Sequence, residues 1–120
     1  MLLAVLYVTA CNLPDVEPTD RDFDLPSQKV KIEFGNIDWY REVFDPYETD
    51  AEPVTGSLAD DLMDIYSDVK RGLLMYERGA EEDKIDAVWH WKFHFEAHWG
   101  FHLVDALRAM HWASQRISEL

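Results

Sequence analysis

Residues 57–79 read SLADDLMDIYSDVKRGLLMYERG, and this stretch decides the fold. Ser57 before Leu58-Ala59-Asp60 is a helix-opening pattern, because a serine hydroxyl can accept an amide of the first turn. Asp60 and Asp61 sit where the helix dipole favours anions. Leu58, Leu62, Ile65, Val69 and Leu73 recur every three or four residues and form one buried stripe. Gly79 supplies the stop. Beyond it, Glu81 to Lys84 suits a second helix start, with periodicity running to about Ile117. Gly100 inside that helix costs roughly 1 kcal/mol against alanine, and is expected to permit close packing or a mild bend. A short link makes the two helices antiparallel neighbours. The expected fold class is therefore all-α: a small helical bundle with a long antiparallel helix pair, about 57–78 and 82–117, and extended acidic loops.

Outward from this pair the patterning weakens. Trp39, Tyr40, Val43 and Phe44 read as one or two helical turns, stopped by Asp45-Pro46, with an acidic loop from Glu48 to Pro53. Val30, Ile32 and Phe34 alternate with Lys29, Lys31 and Glu33, the pattern of an extended segment. No second strand candidate stands out, so this segment is expected to pack on helices. Pro14, Pro18 and Pro26 among five acidic residues make Asn12 to Gln28 a long surface connection. Leu2, Leu3, Leu6, Tyr7 and Ala10 have helical spacing. Val8-Thr9-Ala10-Cys11 resembles a lipobox, but no Lys or Arg precedes it and the apolar run is short for a signal, so a helix is the preferred reading.

A chain of 120 residues with 48% apolar content can bury one core, and a single domain over 1–120 is expected. Its 24 acidic and 11 basic residues give a net charge of −13. Such a charge argues against unaided binding of nucleic acid and against anionic membrane surfaces. With no apolar run of bilayer length and no leader pattern, the expected compartment is the cytoplasm. The single Cys11 excludes an intramolecular disulfide framework and a cysteine zinc site, and reads as a small buried hydrophobe. The charge is unevenly placed. Residues 1–68 carry a net −12 and residues 69–120 a net −1, and all five histidines lie in the second part.

His90, His94, His98 and His102 follow one another at intervals of four, so they drift slowly along one side of a helix. His98, His102 and Asp105 share a face. Asp61, Asp64 and Asp68 flank the apolar stripe of the first helix. In an antiparallel pair, residues whose numbers sum to about 162 lie level. Asp64 then faces His98, Asp61 lies near Phe101 and His102, and Asp68 faces His94. The plainest reading is a network in which aspartates satisfy half-buried imidazoles. A metal centre is the second, with Asp61, Asp64, His98 and His102 as ligands and Asp68, Glu96 and Asp105 around them, a mixed N and O set suited to manganese, iron or zinc. A metal-free acid/base pair is the third. Neither HExxH nor a Glu-x-x-His repeat is present, and no Ser or Cys has an evident adjacent base. Trp91, Phe95, Trp99 and Phe101 read as core, while Trp89 and Phe93 need cover from another element.

Phe44-Asp45-Pro46-Tyr47, Pro53 to Leu73, Phe95 to His102 and Asp105-Ala106-Leu107-Arg108 resemble, over nearly the whole chain, the uncharacterised bacterial helical family catalogued as domain of unknown function 5063. The resemblance implies a mostly helical domain, and that residues 1–10 correspond to a helix following another one found in relatives. It emphasises Asp60, Asp61, Asp64, Asp68, Glu96, His98, Trp99 and His102, with His90 and His94 as local additions, and it names no reaction. The function expected first is therefore non-catalytic, an acidic helical bundle acting through a protein partner. The alternative is a metal-dependent, hydrolase-like enzyme using the Asp/His cluster.

Overall fold

A computed structural model describes residues 2–117. The apolar spacing near the N-terminus forms helix α1 (Leu2–Cys11), and an irregular segment then runs to a 3-10 turn at Gly35–Ile37. Strand β1 (Trp39–Glu42) and strand β2 (Val54–Ser57) pair antiparallel, with Tyr40 opposite Gly56 and Glu42 opposite Val54. Helix α2 (Leu58–Tyr76) follows directly, then α3 (Glu81–His94), a π-helical segment (Phe95–Trp99) and α4 (Gly100–Ile117).

The expected antiparallel pair is present, and Ser57 opens α2 as anticipated: its hydroxyl accepts the Asp60 amide at 3.2 Å. Ser57 donates in turn to Asp38, whose second oxygen takes the Ala59 amide at 2.7 Å. Two otherwise orphaned amides at this helix end are thereby satisfied. At the other end the Gly79 amide bonds the Tyr76 carbonyl at 3.2 Å, and the chain reverses into α3.

The fold is mostly helical but not all-α. Residues 39–44 do not form helical turns; Trp39–Glu42 is a strand. The alternation of exposed Trp39 and Arg41 with half-buried Tyr40 and Glu42 is a period of two, and the partner that sequence reading lacked is the β-branched Val54-Thr55 across the acidic loop. Asp45-Pro46 begins the connection between the strands, with the Tyr47 amide bonded to the Asp45 carboxylate. The segment from Val30 to Phe34 is irregular. The second long helix is also interrupted: the π-helical turn accommodates one extra residue and shifts the phase of everything after it.

Ala10, Ile65, Trp99 and Leu103 form the centre of the core, with Leu3, Leu6, Leu62, Val69 and Phe95 around them. Trp99 donates its indole N–H to the Trp91 carbonyl at 3.2 Å, which satisfies its polar edge inside the core. Phe101 and Leu73, expected inside, are 60% and 38% exposed. Cys11 is likewise exposed rather than buried: at the end of α1 it lies between Ala10 and Leu13, which take the core contacts. Trp89 and Phe93 cover each other, stacked with centroids 4.9 Å apart. The proline-rich connection is tied to α3 by buried Asp86, which accepts the Thr19 amide at 2.7 Å and pairs with Arg21 at 3.2 Å. Burial alone would hinder ionisation of Asp86, but the Thr19 and Arg21 contacts outweigh it and hold the carboxyl below its usual range. No helix of the described residues is long and apolar enough to cross a membrane.

Candidate metal centre

Helix α2 presents Asp61, Asp64 and Asp68 on successive turns, and they meet His98 and His102 from the π-helical segment and α4. The His102 Nδ1 lies 2.7 Å from Asp61, and its Nε2 lies 3.0 Å from Asp64 Oδ2. The His98 Nδ1 lies 2.7 Å from Asp68, and its Nε2 lies 3.8 Å from the same Asp64 oxygen. Each imidazole is thus gripped through Nδ1 by one aspartate and offers Nε2 toward a common carboxylate. Asp64, His98 and His102 each bring a ligating atom into a group whose members lie within 4.8 Å of one another.

Asp61 is the most buried of these carboxylates, with its side chain 5% exposed. Both of its oxygens are occupied, one by His102 and the other by the Tyr40 hydroxyl, which donates to it. Tyr40 reaches this position because it lies across Gly56, its cross-strand partner; a Cβ there would come within 2.5 Å of the tyrosine ring. Burial, followed by the bond to Asp61, pushes the Tyr40 phenol far above its usual range, so it stays a donor. The bond to Asp61 likewise raises His102, ahead of burial, which acts in the opposite sense. Glu42, one strand position on from Arg41, is pushed up to about 7 by burial and then by its hydrogen bond with Asp105. Its Oε2 is buried with no hydrogen-bond partner among the described residues.

Asp61, His98, His102, Glu42 and Asp105 line a cleft of about 410 Å³ that Trp39, Phe44 and Phe101 also wall. Of the residues anticipated from sequence, Asp61, Asp64, Asp68, His98 and His102 come together. Asp105 joins the cleft through Glu42 and not through the imidazoles. Glu96 is exposed and makes no hydrogen bond or ion pair among the described residues. Asp68 faces His98 and not His94, a register about one turn from that expected, with the π-helical segment starting after His94 and containing His98. His90 does not lie toward a polar flank. It is buried at 7% exposure, its ring 4.3 Å from that of His94.

Tyr40 and Glu42 were missed in the sequence because their segment resembles helical turns. The signal that finds them is the two-residue alternation of Trp39 to Glu42 together with its partner at Val54-Thr55.

A helical bundle with a clasping β-hairpin and an Asp/His cluster facing an open cleft is the class of protein that these features define. The family profile described as domain of unknown function (DUF5063) matches residues 4–115, and the chain belongs to that family. Its fold is similar to the crystal structure of protein BF1032 from Bacteroides fragilis, with a TM-score of 0.67 and 24% identity over 92% of this chain and 69% of that one. No curated protein matches the chain.

Proposed function

We propose that the protein binds a divalent metal ion through Asp64 Oδ2, His98 Nε2 and His102 Nε2, with a hydrolase-like use of the adjoining cleft. The observation that carries this reading is the pair of Asp-His grips. Metal-ligating histidines characteristically give their second nitrogen to a carboxylate, which fixes the ring and its tautomer, and here two histidines do so at 2.7 Å while their free nitrogens converge on one aspartate. Asp61, a ligand candidate from sequence, is better assigned to orienting His102, since neither of its oxygens is spare.

Two imidazoles and one carboxylate suit zinc, manganese or iron, and three protein ligands leave positions for water or substrate. An ion so held would polarise a water or a substrate oxygen. Glu42 supports the catalytic half of the proposal. A carboxyl poised at about 7 in the same cleft can take or give a proton near neutral pH.

Elemental analysis of untagged protein tests the proposal. About one ion per chain is expected, lost in Asp64→Asn and His98→Ala, with affinity weakened about 10- to 100-fold in Asp68→Asn, which touches only the orienting carboxylate. Protein that is empty and also ignores added zinc and manganese would leave the cluster as an ion-pair network joining α2 to α4, and the proposal would fail. A protein-partner role, the first expectation from composition, draws support from the hairpin connection, where Phe44 and Tyr47 are 86% and 93% exposed. A pull-down in which Phe44→Ser and Tyr47→Ser lose a partner held by the parent chain would favour it.

A further inference from the structure

Basic residues are scarce in this chain and form no run in the sequence, yet the fold gathers Arg41, Arg108 and Arg116 around one cleft of about 400 Å³ with Trp39 and Trp112. All three arginines are exposed, and none forms an ion pair among the described residues, although 24 acidic residues are available in the chain. Guanidinium groups left unpaired in so acidic a protein are placed to receive an anion from outside. The tryptophans give the cleft a character that an ion-pair surface lacks. Trp39 is 67% and Trp112 is 52% exposed, so their rings are free to lie against a planar group.

This cleft adjoins the candidate metal centre. Trp39 lines both, and Tyr40 is among the residues of the arginine cleft while its hydroxyl bonds Asp61. On α4 the order is His102, Asp105, Arg108, Trp112 and Arg116, at intervals of three or four, which spreads them over a sector of about 120° of the helix. His102 and Arg108 are six residues apart, about 9 Å along the helix axis. That separation is too long for one phosphate to touch both, and short enough for one small molecule to span them.

We propose that Arg41, Arg108 and Arg116 form, with Trp39 and Trp112, a subsite for the phosphate of a small phosphorylated molecule bearing a planar ring, whose other end reaches the Asp64, His98 and His102 centre. The span between the clefts rests on the metal reading; the anion subsite does not. Arginine supplies the paired donors that phosphate oxygens accept, and the tryptophans hold the ring against the hairpin.

Adenosine monophosphate, with inorganic phosphate and adenosine as its halves, is the probe, and tryptophan fluorescence with isothermal calorimetry the readout. The expected result is saturable binding of the nucleotide, tighter than either half, weakening as salt rises. Arg41→Gln and Arg108→Gln should each weaken it about tenfold, the loss of one charge-assisted contact. Asp64→Asn should lose metal, while inorganic phosphate, which reaches only the arginine cleft, binds as it does to the parent chain. Manganese bound to the parent chain should broaden the NMR lines of the bound nucleotide. The subsite is overturned if neither nucleotide nor phosphate binds at about 10 mM, or if Arg41→Gln and Arg108→Gln bind as the parent does. Nucleotide binding without manganese broadening, in protein shown to hold manganese, overturns the span. Failure of metal binding with nucleotide binding intact would fell the metal reading and leave the arginine subsite standing.

Discussion

Replacing His90 by glutamine should remove a pH dependence from the stability of this protein. Burial pushes the imidazole down from 6.5 to about 4, and His94 and Arg71 reinforce the shift more than Asp68 opposes it. Its Nε2 is buried without a partner among the described residues, so a proton added there would find no acceptor among them. The unfolded chain therefore binds this proton more readily than the folded one, and stability present above pH 6.5 is lost as pH falls toward 4. With folded and unfolded values of about 4 and 6.5, the contribution lost between pH 8 and pH 5 is about 2 kcal/mol, out of about 3 kcal/mol in all. His102 works in the other direction. Its pKa is raised on folding, so its stabilisation is complete below 6.5 and is lost as pH rises through the folded value. Because His102 is present in both proteins, it cancels in the difference between them. Urea unfolding of parent and His90→Gln at pH 8, 6.5 and 5 measures that difference. The parent should lose about 2 kcal/mol more than the variant on going from pH 8 to 5. Parallel curves would refute the claim that His90 is held neutral.

Gly72→Ala should destabilise by about 1–3 kcal/mol in thermal unfolding despite alanine's better helix propensity, since the new Cβ would lie 2.1 Å from the Trp91 indole nitrogen, which donates to the Val69 carbonyl at 3.0 Å. An unchanged or raised midpoint would show that the α2–α3 contact yields there. Gly56→Ala should displace Tyr40 from Asp61 and weaken zinc binding about tenfold while far-UV circular dichroism is retained; equal zinc affinity would uncouple the hairpin from the centre. Asp86→Ala should release residues 15–25, seen as faster amide exchange at Thr19 and earlier proteolysis in that segment. Protection equal to that of the parent would mean the Thr19 and Arg21 contacts do not hold it.

The helix pair was legible because each helix buries a stripe with its own period, and because Ser57 and Gly79 punctuate α2 with residues suited to those places. The Asp row and His98 and His102 were legible for the same reason, since level residues in an antiparallel pair follow from the length of the link. The hairpin was not. Four residues on each side are too short to establish a period, and the chain between them carries no tight-turn pair, so pairing of Trp39 with Ser57 is a long-range fact. Tyr40 and Glu42 were hidden with it. The Arg21 tie to Asp83 and Asp86 was equally hidden, because sixty residues separate the partners and neither segment has a pattern that anticipates the other.

The π-helical turn at Phe95–Trp99 has a further bearing on the protein's history and engineering. Four histidines at intervals of four would run as a single file on an unbroken helix; the inserted residue divides them into a stacked pair, buried His90 and half-buried His94, and a pair that meets the aspartates. Regularity of the helix and possession of the centre are thus opposed properties of this segment. Deletion of Ala97, which would repair the helix, is the kind of change that could raise thermal stability while scattering the Asp/His cluster. A stability-guided redesign left free to shorten the chain would select against the centre without altering any residue that touches it.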